Sequence, residues 1–184
     1  MAKTVVIYRS KYGYTKQYAE WLAEELEADI HDGANTKPAD LSGYDVIIYG
    51  GGLYAGGVSG VSLLTKSFPA IRDKSLYLFT VGAADVADEQ NIRGIRTELN
   101  KVLTPEMQEK ITIFHLRGGI DYPRMSFVHR AMMSMLVRML KKKPENEISN
   151  ENKMMIETYG QVVDFSDKAS IAPLVQAVKA GIAG

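Results

Sequence analysis

The stretch Thr4–Thr15, TVVIYRSKYGYT, constrains this chain more than any other. Val5, Val6 and Ile7 form a short β-branched run near the N-terminus, which predicts a strand buried on both faces. Ser10-Lys11-Tyr12-Gly13-Tyr14-Thr15 follows at once, and then Tyr18, Trp21, Leu22, Glu25 and Leu26 mark successive turns of a helix over about 15–27. A strand that passes through a tight, hydroxyl- and glycine-bearing turn into a helix N-terminus aims several backbone N–H groups at one spot. That spot lies at the positive end of the helix dipole, so the expectation is a phosphate site. A capped strand-to-helix turn without a ligand is the alternative.

The spacing narrows the kind of site. A nucleoside-triphosphate loop needs G-x-x-x-x-G-K-[ST] and a dinucleotide turn needs G-x-G-x-x-G; the turn here is Ser-x-x-Gly-x-Thr, with hydroxyls at both ends. Ser10 and Thr15 can donate to phosphate oxygens, Gly13 permits close approach or a positive φ, and Lys11 adds a charge. This turn resembles the FMN-phosphate loop of flavodoxins. Tyr12 and Tyr14 stand where flavodoxins mostly carry Thr and Asn. The Ser-Lys-Tyr-Gly-x-Thr form is similar to that of the subgroup containing the menaquinone-dependent protoporphyrinogen dehydrogenases. The resemblance implies FMN as the cofactor.

At 184 residues, 46% of them hydrophobic, the chain suits one domain over 1–184. Ala2-Lys3-Thr4 runs straight into the first strand, so no signal peptide is expected, and no apolar run approaches the roughly 18 residues of a membrane span. The absence of cysteine excludes disulfides, thiol chemistry and iron–sulfur clusters, which fits a cytoplasmic protein. His31, His115 and His129 lack metal spacing and read as surface or cap residues, with no metal site expected. The 22 basic and 22 acidic residues balance overall. Between 117 and 143, however, Arg117, Arg124, Arg130, Arg138, Lys141, Lys142 and Lys143 face the single acid Asp121, which marks a partner surface. No nucleic-acid partner is expected.

Further along, the sequence predicts a short edge strand at Ala28–His31 and a buried strand at Asp45–Tyr49. A glycine-rich loop at 50–57 precedes a helix at Val58–Ile71. Strands at Ser75–Val81 and Ile111–Leu116 flank a helix that Asp88 can cap, followed by one helical turn opened by Thr104-Pro105-Glu106. Met125–Lys142 reads as an extra helix rich in methionine, 144–165 as irregular, and about 167–182 as a final helix. This alternation predicts an α/β fold: a doubly wound, five-stranded parallel sheet in the flavodoxin-like order 2-1-3-4-5, with an extra helix after strand 5.

Ligands of such sheets sit beyond the carboxyl ends of the strands. A flavin needs a phosphate cradle, an apolar or aromatic slot, and backbone groups at the ring's polar edge. The expected cofactor contacts are therefore Ser10, Lys11, Tyr12, Gly13, Tyr14 and Thr15 on the first loop and Gly52, Leu53, Tyr54, Ala55 and Gly56 on the second. Val81, Gly82, Ala83, Ala84 and Asp85 on the third loop, and Gly118 and Gly119 after the fifth strand, complete the set. A phospho-receiver domain, which shares this topology, needs acids at strand ends that here read Tyr8-Arg9-Ser10 and Tyr49-Gly50-Gly51. A flavin-free protein-binding module on the same fold stays open.

Among flavoproteins, small electron shuttles are typically acidic, whereas this chain is neutral with a basic late segment. Gly118–Arg124, with its Tyr122-Pro123-Arg124, resembles the corresponding stretch of the protoporphyrinogen dehydrogenases. The resemblance implies an FMN oxidoreductase that takes electrons from a porphyrinogen and gives them to a quinone; a flavodoxin-type electron-transfer protein serving another redox partner is the alternative. Tyr122 is the candidate for the substrate side of the flavin or for a structural turn. Ser126–Lys143 reads as an apolar helix face with basic flanks, suited either to burial or to peripheral contact with an anionic membrane at its inner face.

Overall fold

The computed structural model describes residues 2–54 and 57–183. Side chains alternate across a strand, and each strand of the run TVVIYR, VIIYGGGLY and SLYLFTVG supplies apolar residues to both sides. The chain runs β1 (Thr4–Arg9), α1 (Tyr14–Leu26), β2 (Asp29–Asp32), β3 (Val46–Tyr54), β4 (Gly57–Val58), α2 (Ser62–Ile71), β5 (Ser75–Gly82) and α3 (Glu89–Asn100). It continues as α4 (Pro105–Lys110), β6 (Ile111–Arg117), β7 (Gly119–Asp121), α5 (Phe127–Leu140), α6 (Asn150–Thr158), β8 (Val162–Asp164) and α7 (Ala172–Ala183). The main sheet has the order β2-β1-β3-β5-β6, and every pairing in that series is parallel. Apart from the two-residue β4, which pairs antiparallel with β3, this is the expected doubly wound order.

Two cores result. Val5, Ile7, Ile47, Tyr49, Leu76 and Leu78 point to one face, where Leu64, Phe68 and Ile71 of α2 and Leu99 of α3 cover them. Val6, Val46, Ile48, Tyr77, Phe79 and Val81 point to the other, under Tyr18 and Leu22 of α1 and Leu174 and Val178 of α7.

Four expectations about these elements need correction. The strand expected to stop at Tyr49 continues through Gly50, Gly51 and Gly52 to Tyr54, so those glycines belong to the sheet. The Phe79 ring lies on Gly50, at a place a side chain would occupy, and the returning β4 folds over Gly51, with Ser59 donating its N–H to the Gly52 carbonyl at 2.9 Å. Because the chain reverses there, α2 starts at Ser62 instead of Val58. The segment 144–165 is structured: Ser149 caps α6 by accepting from the Asn152 N–H, and β8 returns to pair antiparallel with β7 across about forty residues of chain. Gly118 ties this ribbon to the main sheet, donating to the Gly82 carbonyl at 2.7 Å and accepting from the Phe165 N–H at 3.1 Å. The final helix is preceded by a separate 3-10 turn at Lys168–Ile171, which Asp167 caps.

His115 is not a surface or cap residue. It is half-buried on β6, where Arg96 donates to its Nε2 at 3.0 Å and its Nδ1 meets the Thr80 hydroxyl at 2.7 Å. Nε2 is thus the acceptor and Nδ1 carries the proton. Burial first, then the Arg96 charge, lowers its pKa to about 4 from 6.5. The native state therefore holds a neutral imidazole, while the unfolded chain protonates it near its ordinary pKa. The resulting stability is complete above about pH 6.5 and is lost as pH falls toward about 4. The expected loss is roughly 2 kcal/mol after allowance for screening at its exposed part. Urea midpoints at pH 7 and pH 4.5 for the parent and for His115→Gln check this: the parent's advantage should shrink at the lower pH. A constant difference would remove the imidazole from the account.

Only Val137 and Leu140 of α5 are buried, while Phe127 is 86% exposed and Met135 62% exposed. Val128, Met132 and Met139 share that exposed apolar face. No helix among the described residues is long and apolar enough to cross a membrane.

Candidate functional site

The turn after β1 is built by its glycine. Gly13 is the N-cap of α1 with φ 103° and ψ −21°, a left-handed backbone suited to glycine, and it has no side chain with which to cap the helix. The first N–H groups of any helix lack an intrahelical acceptor. Within the described residues no bond satisfies the N–H of Tyr14, Thr15 or Lys16, and the first turn carries no acid. Ser10 turns inward instead of outward, its hydroxyl accepting from the Gly13 N–H at 3.0 Å. The Lys11 N–H donates to the Tyr54 hydroxyl at 3.1 Å, and Tyr12 meets Tyr54 edge to face with ring centres 5.7 Å apart.

The strand ends converge on a narrow cleft of about 120 Å³, lined by Tyr12, Tyr14, Thr15, Leu53, Tyr54, Val81, Gly82, Ala83 and Gly119, together with Ile120 and Met125. The structure thus brings nine of the eighteen expected residues to one cleft. Leu53, Gly82 and Ala83 also border a larger cavity of about 640 Å³ that extends past Ala84 to Ile95 of α3 and Met155 of α6. That volume is in the range of cofactor sites, roughly 300–1,000 Å³. The residues therefore fit a flavin: an anion cradle at α1, aromatic and aliphatic walls, and adjoining room for a flat ring.

Several expected residues sit elsewhere or act indirectly. Ala55 and Gly56 lie outside the described residues. Gly52 is buried behind the Tyr54 ring, and Gly118 is buried against Val81 and Tyr14, so both permit close packing without lining the cleft. The Asp85 carboxylate turns back to the Ala87 N–H and faces Arg117 at 3.7 Å. Tyr122 is 2% exposed, packed edge-on against Tyr159, and its hydroxyl has no hydrogen-bond partner among the described residues. This placement favours the structural reading of Tyr122.

Ile120 and Met125 escaped sequence reasoning because nothing local marks them as cleft residues. The α6 wall carried a weak signal, a capping Ser149 ahead of Met154-Met155-Ile156, that a short polar segment easily conceals.

The ionisable side chains lining the cleft are all phenols. Burial pushes the Tyr54 phenol up; burial, then the Asp164 and Asp121 charges, push Tyr14 up against the opposing effect of Arg124. The Tyr14 hydroxyl donates to the Val163 carbonyl at 3.2 Å. These groups can bind, orient and stack, but none is poised as a base near neutrality. Among the described residues no cluster of metal-ligating side chains occurs.

The family described as flavodoxin domain matches residues 5–147. Among solved structures, oxidised flavodoxin 2 of Bacillus cereus is similar at 18% identity over 63% of this chain and 86% of its own, with a TM-score of 0.42. A flavoprotein in complex with FMN from Lactobacillus acidophilus matches at 14% identity over 64% and 93% of the two chains, with a TM-score of 0.42. An NADH:FMN oxidoreductase in its apo form matches at 14% identity over 64% and 75%, with a TM-score of 0.45. No curated protein matches. Since the family match extends from the first strand through α5, most of the length of the sequence, the chain belongs to the flavodoxin domain family.

Proposed function

We propose that this protein binds FMN non-covalently at the cleft and is an oxidoreductase of the protoporphyrinogen dehydrogenase type, passing electrons to a quinone. The observation that carries the reading is the uncapped, acid-free N-terminus of α1, which opens beside an aromatic cleft whose ionisable groups are all phenols. The N–H groups of Tyr14 and Thr15 and the Thr15 hydroxyl would hold the phosphate. Tyr12, Tyr54, Leu53 and Ile120 would wall the flavin, and the backbone at Gly82 and Ala83 would meet its polar edge. Bound FMN supplies the transfer of electrons, which no side chain here can perform.

Heat-denatured protein should release FMN, identifiable by chromatography, and a colourless sample would leave only the protein-binding module. With flavin present, anaerobic protoporphyrinogen should bleach it and menaquinone should restore the colour. Reduction and reoxidation by ferredoxin-type partners alone would favour the shuttle.

The exposed face of α5 supports a membrane-resident acceptor. Phe127, Val128, Met132, Met135 and Met139 stand in solvent, and 122–144 holds no acid but contains Arg124, Arg130, Arg138 and Lys141–Lys143. Charge and apolar area together suit a helix lying on an anionic lipid surface. Replacing Lys141, Lys142 and Lys143 with Glu should reduce co-sedimentation with phosphatidylserine-containing vesicles at least tenfold, at about 1 kcal/mol per charge near the surface, with FMN content unchanged. Parent protein that ignores such vesicles would return α5 to a protein interface.

A further inference from the structure

The segment that follows β6 reaches back to the phosphate turn at three points. Arg124 donates from Nη1 to the Tyr12 carbonyl at 3.2 Å, bridging 112 positions of sequence. The Lys11 ammonium donates to Nδ1 of His129 at 2.9 Å. The Tyr14 hydroxyl reaches the Val163 carbonyl of β8. Three of the six turn residues are thus fastened to the β7–α5–β8 segment, and two of the three contacts bring a cation.

Those cations are open to an anion at the turn. Lys11 and Arg124 are solvent-exposed, and the bond that Lys11 makes is to an imidazole nitrogen instead of a carboxylate. The nearby acid, Asp121, accepts from the Arg124 backbone N–H at 3.1 Å, and its carboxylate is only loosely paired with the guanidinium, at 3.9 Å from Nε. A phosphate monoester carries close to two negative charges at neutral pH. Lys11 belongs to the turn and Arg124 abuts it through the Tyr12 carbonyl, so both cations attract a phosphate held there, and salt weakens that attraction.

We infer that Lys11 and Arg124 form a cationic wall at the phosphate turn that selects the phosphorylated flavin over riboflavin, with His129 as the positioning residue for Lys11. This inference rests on the FMN reading and deepens it: the segment after β6 takes part in recognising the cofactor's phosphate as well as in covering the sheet. Arg124 also ties down the Tyr12 carbonyl, placing positive charge against the one atom of that peptide that would repel an anion.

The test is titration of full-length apoprotein with FMN and with riboflavin at low and high salt. The two ligands differ only in the phosphate, so their affinity ratio isolates it from stacking of the ring. The parent should prefer FMN, and the preference should fall with salt. In Lys11→Gln/Arg124→Gln the preference should drop at least tenfold and lose most of its salt dependence, because FMN affinity falls far more than riboflavin affinity. His129→Gln should produce a smaller drop of the same kind, and Arg124→Lys, which keeps the charge, should retain the parent's preference.

A double variant that keeps the parent's FMN-to-riboflavin ratio at both salt concentrations would overturn the inference and leave the backbone N–H groups as sole selectors. Equal weakening of both flavins in the double variant and in each single variant would also overturn it, because the residues would then merely shape the cleft. A parent that binds neither flavin would defeat the FMN reading itself, an outcome distinct from both.

Discussion

Replacing Gly13 with valine should lower FMN affinity by roughly ten- to a hundred-fold, the equivalent of 1–3 kcal/mol of backbone strain at a disfavoured φ. From sequence alone the cause would be a side chain blocking the approach of the phosphate. The structure gives a different cause: a Cβ at Gly13 meets nothing within 4 Å, but the residue sits at φ 103°, where a β-branched side chain is strained. The turn relieves that strain by rotating Gly13 toward negative φ, and the rotation redirects the N–H groups that open α1. Gly13→Ala should show the same effect at smaller size, since it differs in bulk but not in handedness. Flavin fluorescence titration beside urea unfolding separates binding from folding. Unchanged FMN affinity in the valine variant would remove the turn from the cofactor site.

The largest loss of stability is expected from Gly50→Ala. The added methyl group would land in the Phe79 ring, and both residues are buried in the middle of the sheet, on β3 and β5 in paired register. Overpacking at such a place costs about 1–3 kcal/mol, and little room exists for the strand to shift because β1 and β5 hold it on both sides. Phe79→Leu should be destabilising alone yet less so in the Gly50→Ala background, since the shorter side chain vacates the contested space. A favourable coupling of about 1 kcal/mol or more in the double-mutant cycle is expected. Strict additivity of the two unfolding free energies would show that the ring is not what limits position 50.

Local signals account for what could be anticipated. Val5–Ile7 and Val46–Tyr49 are unbroken apolar runs, and α3 further along carries a cap that sequence displays, Asp88, which accepts from the Gln90 N–H at 2.8 Å. Topology followed from their alternation. The glycines after Tyr49 misled because glycine is a turn signal in isolation, whereas here it is demanded by a ring arriving from β5, thirty residues later in the chain. The pairing of Gly119–Asp121 with Val162–Asp164 was invisible for a related reason: two strands of three residues each, so far apart, carry no periodicity. In the site, Tyr54, Thr15 and Gly82 were legible as loop residues at the correct sheet edge. Arg124 and His129 were legible only as charges in a basic segment, because their partners on the phosphate turn are more than a hundred positions away.

The late return of β8 bears on how the protein is made. Synthesis delivers the turn after β1 well before Val163, whose carbonyl anchors Tyr14 across 149 positions of sequence. α7, which closes the second core over Val6, Ile48 and Phe79, comes later still. A ribosome-bound chain can pair β1, β3, β5 and β6, yet one side of that sheet has only α1 over it until α7 has left the exit tunnel. A premature stop between β6 and α7 thus yields a chain with all five parallel strands and one apolar face covered by α1 alone, a substrate for chaperones and proteases rather than a smaller working flavoprotein.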